Sequence, residues 1–446
     1  MSNMLKVALI TLGCAKNEVD SEIMNQILRD ADYKLIDDYQ SAEVIIVNTC
    51  GFIADAKEES IETILEVAEY KKEGNCKLLV VTGCLAQGYS AELKAEMPEI
   101  DIMLGTGNFD KIAAVIEEGL AGEKKVKIDS PNFNYDNYIA ETTISNQNAA
   151  YVKIAEGCNN NCSYCLIPDL RGALKSRSRE SIIKEVKQLA EHGVQEINLI
   201  AQDITQYGLD LVGQKQIVPL LKELVEIEGL KWIRLLYAYP LHITEELIDL
   251  IAQEDKICNY LDLPIQHADG EIRNKMNRAG SQEDILAVIN KLRTKIPDIT
   301  LRTSVIVGFP GETEKHFNHL LDFIREAEFD NLGAFTYSQE EGTAAAKMDC
   351  QIPQDRKEER YQRVMNLQSD ISYRRNQEWV GEELEVLVED YQSHEPRIML
   401  GRSYREAPEE IDGAVFIKDT AAKKGEFITV EITEAQEYDL IGVGAR

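Results

Sequence analysis

The chain has 446 residues, of which 44% are hydrophobic and 28% charged, with a formal net charge of −30. This composition excludes a disordered chain, and the length suggests roughly three domains at ~150 residues each. So acidic a protein is a poor generic binder of nucleic acid, whose phosphates are held by clustered Lys and Arg, and it suits a basic protein partner.

The opening "MSNMLKVALI" reads as a first strand rather than a signal peptide, because Lys6 interrupts its apolar stretch. Strand and helix then alternate to about residue 125. "KVALITLGC", "EVIIVNTC" and "KLLVVTGC" read as strands, and "EVDSEIMNQILRDA", "EESIETILEVAEYKK" and "AELKAEM" as the helices between and after them. That alternation predicts a parallel sheet covered on both faces, a Rossmann-like α/β domain. Residues 128–148 are rich in Asn, Ser and Thr without helical period and read as a linker or crossover.

A second series follows to about residue 376, with strands expected at "YVKIAEGC", "EINLIAQD", "WIRLLYAYP", "YLDLPIQH", "TLRTSVIVGF" and "NLGAFTYS". Six βα units suit a partial barrel, short of the eight that close one. The long helix "DRKEERYQRVMNLQSDISYRRNQEW" leads into a tail of short alternating strands from Gly381. About five strands there predict a small OB-like β-barrel. The tail holds sixteen Asp and Glu against seven Lys and Arg, a net charge of about −9 that is unusual for a nucleic-acid barrel. The expected domains are therefore 4–125, 144–376 and 378–446. No apolar run approaches the ~20 residues of a membrane span, so a cytoplasmic location is expected and no membrane partner.

Nine cysteines in such a chain point to metal or catalysis rather than to disulfides. "EGCNNNCSYC" places Cys158, Cys162 and Cys165 within eight residues, just after a strand. Three thiolates so spaced can wrap one corner of an iron–sulfur cube, leaving one iron open to a substrate. A structural zinc wants four closed ligands, and no fourth Cys or His lies near; His192 falls far downstream in a helical pattern. Cys14, Cys50 and Cys84 each end a strand of the first domain, 36 and 34 residues apart. That gap is about one βα unit, so all three emerge at one edge of one sheet, where open α/β sheets bind ligands. A second three-thiolate iron–sulfur site follows. Cys76, Cys258 and Cys350 show no such spacing and read as ordinary thiols. Gly308 and Gly311 in "VIVGFPGET" would let backbone approach a nucleoside closely. Gln202 and Asp203, and Gln266 and His267, end barrel strands and are expected at its mouth.

The Cys158–Cys162–Cys165 spacing resembles the radical S-adenosylmethionine (SAM) superfamily. Two three-cysteine sites on an α/β domain and a partial barrel, with a terminal TRAM-type barrel, resemble the methylthiotransferase family over essentially the whole chain. The resemblance implies two 4Fe-4S clusters, an auxiliary one on Cys14, Cys50 and Cys84 and a radical one on Cys158, Cys162 and Cys165. It also implies two SAM molecules per methylthio transfer and a reductant protein as electron donor. Gly308, Gly311, Gln202 and Asp203 become candidate SAM contacts. "LGCAKNEVDSE" at Leu12–Glu22 and "GRSYREAPEEIDG" at Gly401–Gly413 resemble the branch that modifies a ribosomal protein, whereas the tRNA branch commonly reads "GCQMN" near the first cysteine. The implied substrate is a basic protein, small-subunit ribosomal protein twelve, methylthiolated at the β-carbon of one aspartate. An acidic tail would repel tRNA phosphates, which disfavours tRNA as partner. An iron–sulfur carrier is the alternative of a different class, but a carrier has no need of a six-unit barrel with a glycine-rich turn.

Overall fold

The computed structural model describes residues 4–137, 148–394, 397–409 and 411–444. Strands β1 (Lys6–Thr11), β2 (Lys34–Leu35), β3 (Val44–Thr49), β4 (Leu78–Gly83), β5 (Ile102–Leu104) and β6 (Lys125–Lys127) form one sheet in the order β2-β1-β3-β4-β5-β6. Every pairing in it is parallel. Its central strands are near-continuous apolar runs because helices cover both faces. Val44, Ile45, Ile46 and Val47 are wholly buried, each contributing about 1.5–3 kcal/mol. The polar end of β3 is bound within the sheet: Asn48 Nδ2 donates to Asn17 O at 2.8 Å and Thr49 Oγ1 to Thr82 O at 2.5 Å.

Two helices begin earlier than the periodicity predicts. Ala15–Asp30 starts directly after Cys14, and Cys84–Glu96 starts at Cys84 itself. Of the expected linker, residues 138–147 lie outside the described residues. The part before them is not loose. Phe133 and Tyr135 are buried, with the Phe133 ring 4.2 Å from that of Phe109.

The second sheet holds β7 (Ala149–Lys153), then, after a short antiparallel ribbon of β8 (Ala155–Glu156) and β9 (Lys175–Ser176), β10 (Glu196–Ile200), β11 (Trp232–Leu235), β12 (Ile257–Asp262), β13 (Thr300–Val307) and β14 (Asn331–Thr336). Its order is β14-β13-β12-β11-β10-β7, all parallel, with β7 and β14 left as edges. It is the expected six-stranded partial barrel. The helix Ala15–Asp30 of the first sheet packs on edge β7, and the helix Gln354–Gln377 packs on edge β14.

Strands β15 (Glu383–His394), β16 (Arg397–Arg402), β17 (Val415–Lys418), β18 (Phe427–Ala435) and β19 (Leu440–Gly444) close a barrel in the order β15-β16-β17-β19-β18. The β17–β19 pair is parallel and the rest antiparallel, the OB-like arrangement. Its β16–β17 connection does not stay with the barrel. It runs to the inner face of the six-stranded sheet, where Arg402 Nη2 meets Glu196 Oε2 at 2.6 Å and Arg234 Nη1 donates to Tyr404 O at 2.6 Å. There too Tyr260 Oη donates to Asp412 Oδ2 at 2.6 Å, and Arg302 Nε to Asp412 Oδ1 at 2.9 Å. One apolar cluster accordingly joins residues of all three sheets, among them Val7, Ile46, Tyr151, Trp232, Tyr260 and Leu387, with Ala407 of the connection.

Candidate active site

Strands β1, β3 and β4 are neighbours, so Cys14, Cys50 and Cys84 leave the same edge of the sheet side by side. A glycine adjoins each of them. A Cβ on Gly13 would stand 2.8 Å from Cys50 Cβ, and one on Gly51 would stand 2.8 Å from the Leu85 backbone. Gly83, at φ +93°, would meet Thr49 O at 2.4 Å. The missing side chains let three turns converge.

The loop carrying Cys158, Cys162 and Cys165 is closed at its neck by the β8–β9 ribbon, with Cys158 N–H donating to Gly172 O at 3.1 Å. Backbone amides turn toward its sulfurs: Asn160 N–H to Cys158 Sγ and Ile167 N–H to Cys165 Sγ, both at 3.4 Å. Arg278 Nη1 lies 3.7 Å from Cys162 Sγ, and Arg171 Nε lies 3.3 Å from Cys84 Sγ. Donors aimed at sulfur suit thiolates that hold a charged iron–sulfur group. Burial pushes Cys84 up to about 11 and Cys165 up to about 12, and raises Cys50 and Cys158 as well. Among the described residues no group of three or more His, Cys, Asp or Glu, the two cysteine triplets included, is drawn together around the place of a single metal ion.

All six cysteines line one cavity of about 1340 Å³. The two triplets are held together by direct packing and by charge. Leu166 and Leu170 pack on Cys84, and Thr106 Oγ1 donates to Leu170 O at 2.7 Å. Behind them lies a buried network that no motif announces. Arg171 Nη1 donates to Asp20 Oδ2 at 2.6 Å and Glu156 Oε2 at 3.0 Å, and Lys153 Nζ to the same two residues at 2.5 and 2.8 Å. Tyr135 Oη lies within hydrogen-bond reach of Asp20 at 2.7 Å and of Glu156 at 2.8 Å, with one proton to give to either. Burial alone would raise Glu156, but the charges of Lys153 and Arg171 hold it well below the usual carboxylate range.

The other expected site residues divide. Gln202 and Asp203 line the cavity. Gln202 donates to Glu156, and Asp203 accepts from Asn160 Nδ2 at 3.1 Å and pairs with His242 at 3.2 Å. Gln266 lines it too, with φ at +69°. His267 does not. It is wholly buried and accepts from Asp269 N–H at Nδ1. Gly308 and Gly311 stand outside the lining, at φ +75° and +77°; they shape the turn after β13, where Gly308 N–H donates to Glu312 and Gly311 N–H to Cys350 O. In their place Ser304 and Ile306 of β13 face the cavity. Cys76 and Cys258 are buried and Cys350 exposed, all three outside the lining.

Periodicity also passed over Lys16, Tyr237 and Arg302, which all line the cavity. Lys16 is 7% exposed, its Nζ 2.9 Å from the centroid of the Tyr237 ring. Burial pushes its ammonium down to about 8, against the pull of Cys14, Asp262 and Glu156. Tyr237 has φ +63°, the strained conformation that sites retain when surroundings fix it. From the terminal barrel's long connection, Ala407 and Ile411 complete the lining. At the mouth stand the exposed Phe52, Asp55, Glu59 and Glu358, an acidic rim.

Residues 6–105 match the uncharacterized protein family UPF0004, 152–324 the radical SAM superfamily and 380–444 the TRAM domain. Among solved structures, the radical SAM methyltransferase TsrM from Kitasatospora setae, with cobalamin and a [4Fe-4S] cluster bound, superposes with a TM-score of 0.55 at 17% identity over 75% of each chain. That likeness supports the fold. The chain is 49% identical over 438 residues to the ribosomal protein uS12 methylthiotransferase RimO of Heliobacterium modesticaldum, covering 98% of this chain and 95% of the relative. It is 50% identical over 440 residues to the same-named protein of Clostridioides difficile, covering 98% of each. With that similarity running through both cysteine triplets and the terminal barrel, the chain belongs to the ribosomal protein uS12 methylthiotransferase (RimO) family.

Proposed function

We propose that this protein is a radical SAM methylthiotransferase that adds a methylthio group to the β-carbon of an aspartate in ribosomal protein uS12. The observation that carries the reading is the single cavity shared by Cys14, Cys50, Cys84, Cys158, Cys162 and Cys165. Replacing C–H by C–S needs a hydrogen abstractor and a sulfur donor within reach of one carbon, and a shared cavity supplies that proximity. The cofactors are SAM and 4Fe-4S clusters, with Cys158, Cys162 and Cys165 holding the cluster that engages SAM and Cys14, Cys50 and Cys84 the auxiliary one. When bound, these groups supply the hydrogen abstraction and the sulfur donation.

The chain's own residues shape and screen the site. Arg278 and Arg171 place positive charge beside Cys162 and Cys84. Gln202 and Asp203 offer polar contacts at the barrel mouth for SAM, while Gly308 and Gly311 contribute through the turn they form. Leu166 and Leu170, packed on Cys84, exclude water from that side of the auxiliary triplet. The acidic rim of Asp55, Glu59 and Glu358 suits a Lys- and Arg-rich protein and opposes tRNA. The enzyme would act in the cytoplasm and take its electrons from a reductant protein; no helix among the described residues is long and apolar enough to cross a membrane. We divide the chain functionally at 4–125, 144–376 and 378–446.

The test is anaerobic reconstitution with iron, sulfide, reductant and SAM, offering uS12 and tRNA separately. Mass spectrometry should show the methylthio increment on an aspartate of uS12 alone, with about eight iron atoms per chain. Cys50→Ala should bring iron to about four per chain and abolish the increment. Modification of tRNA, or full iron in Cys50→Ala, overturns the assignment.

A further inference from the structure

Five cationic side chains line the shared cavity among the described residues: Lys16, Arg171, Arg278, Arg302 and Lys357. Four of them are already engaged. Arg171 is held by Asp20, Glu156 and Cys84. Arg278 donates to Pro264 O at 2.6 Å and approaches Cys162. Arg302 is paired with Asp262 and Asp412, and Lys357 Nζ donates to Tyr337 O at 2.6 Å. Lys16 alone forms no hydrogen bond or ion pair through its ammonium among the described residues, although the residue is 7% exposed.

An ammonium that faces a cavity from a side chain otherwise buried, with no oxygen partner in the protein, has its donors free for a ligand that enters. The Tyr237 ring steadies the charge but satisfies none of its three donors. Tyr237 is itself held in a strained backbone conformation against Lys16. Lys16 also stands two residues after Cys14, in the first turn of the helix Ala15–Asp30. A group bound there lies on the auxiliary-triplet side of the cavity.

We propose that Lys16 is the carboxylate anchor of this enzyme, its ammonium, backed by the Tyr237 ring, binding the side-chain carboxylate of the target aspartate. This rests on the methylthiotransferase reading and names the substrate contact within it. The carboxylate carbon is bonded directly to the β-carbon, so pinning it beside Cys14 delivers the carbon to be sulfurated to the sulfur-bearing side. The same contact sets specificity. An uncharged asparagine in the substrate cannot accept the charge-assisted bond on equal terms.

The test measures binding of fluorescein-labelled uS12 peptides to the reconstituted holoenzyme by anisotropy, one peptide carrying the target aspartate and the other asparagine. The wild-type enzyme should prefer the aspartate peptide by about 10- to 100-fold. Lys16→Met should bring the two affinities within about 3-fold of each other. Should Lys16→Met fail to fold or to retain iron, Lys16→Gln, which keeps a polar end without the charge, makes the same comparison. A preference that survives loss of the charge overturns the proposal, as does a wild-type enzyme that binds the two peptides equally. Failure of the underlying reading looks different: the wild-type enzyme then neither binds nor modifies the aspartate peptide.

Discussion

At the scale of single residues, the cysteines were legible and their supports were not. Cys14, Cys50 and Cys84 declare themselves by recurring at strand ends, and Cys158, Cys162 and Cys165 by tight spacing. Arg171, Lys153, Asp20 and Glu156 read as ordinary charges on amphipathic elements, because only tertiary packing removes them from water. The glycines beside Cys14, Cys50 and Cys84 were a readable signal left unused, since residues that must converge need room for backbone. Arg171 bears the heaviest load in that buried set, touching Asp20, Glu156, Asn17 and Cys84. Removing one partner of a buried pair leaves its counterpart charged and alone, at a cost of about 3–5 kcal/mol. Arg171→Met should therefore lower stability toward guanidinium by about that amount. Replacing Arg179, whose ion pair with Glu223 is exposed, should cost under about 1 kcal/mol in the same denaturation series.

At the scale of elements, the long strands and helices were predicted and the short ones were missed. Strands β2, β5 and β6 have two or three residues each, too few to show a period. The helix Ala15–Asp30 illustrates what periodicity does capture, since Val19, Ile23 and Met24 face the core as expected. Its other face meets the terminal barrel's connection through Glu18 and Glu409, with Glu22, Glu185 and Tyr151 nearby. Burial, then the charge of Glu409, pushes Glu18 up to about 7, and burial, then Glu18, pushes Glu22 up to about 8. Raised carboxyl values mean that the folded state favours the protonated forms. Their contribution to stability is complete below the ordinary carboxylate range and is lost as pH rises through about 7 to 8. The melting temperature should thus fall between pH 5.5 and 8.5. Glu18→Gln should raise it by about 2 °C at the upper pH while leaving the lower unchanged. Equal shifts at both values would show that the pair is not the titrating element.

At the scale of the whole molecule, the order of domains and the fold of each were legible, but their interlocking was not. Nothing in "GRSYREAPEEIDG" announces that Arg402 will reach Glu196 or that Asp412 will reach Tyr260, because those partners lie far off in the chain. The tail's acidity needs a correction for the same reason: Glu406 and Asp412 are buried and bonded internally, and Glu385, Glu389 and Glu434 are paired with Lys231, Arg402 and Lys418. A terminal barrel that merely tethered substrate could be removed without harm to SAM cleavage. Here a chain ending at residue 377 takes Arg402 from Glu196, the Tyr404 carbonyl from Arg234 and Asp412 from Arg302, leaving only the Glu196–Arg234 and Asp262–Arg302 pairs, so formation of deoxyadenosine in the absence of substrate should fall by at least about tenfold. Retention of full cleavage would show the connection to be dispensable for the core.

That connection also sets a sequence of events in time. Ser403, Tyr404 and Asp412 follow in the chain every strand of the sheet to which they bond. During synthesis the six-stranded sheet emerges first, with the carboxylate of Glu196 and the guanidinium of Arg234 lacking the oxygen and nitrogen partners that come later. The nascent partial barrel is consequently a container with one wall still to be delivered, and the domain that follows it off the ribosome is the one that seals it.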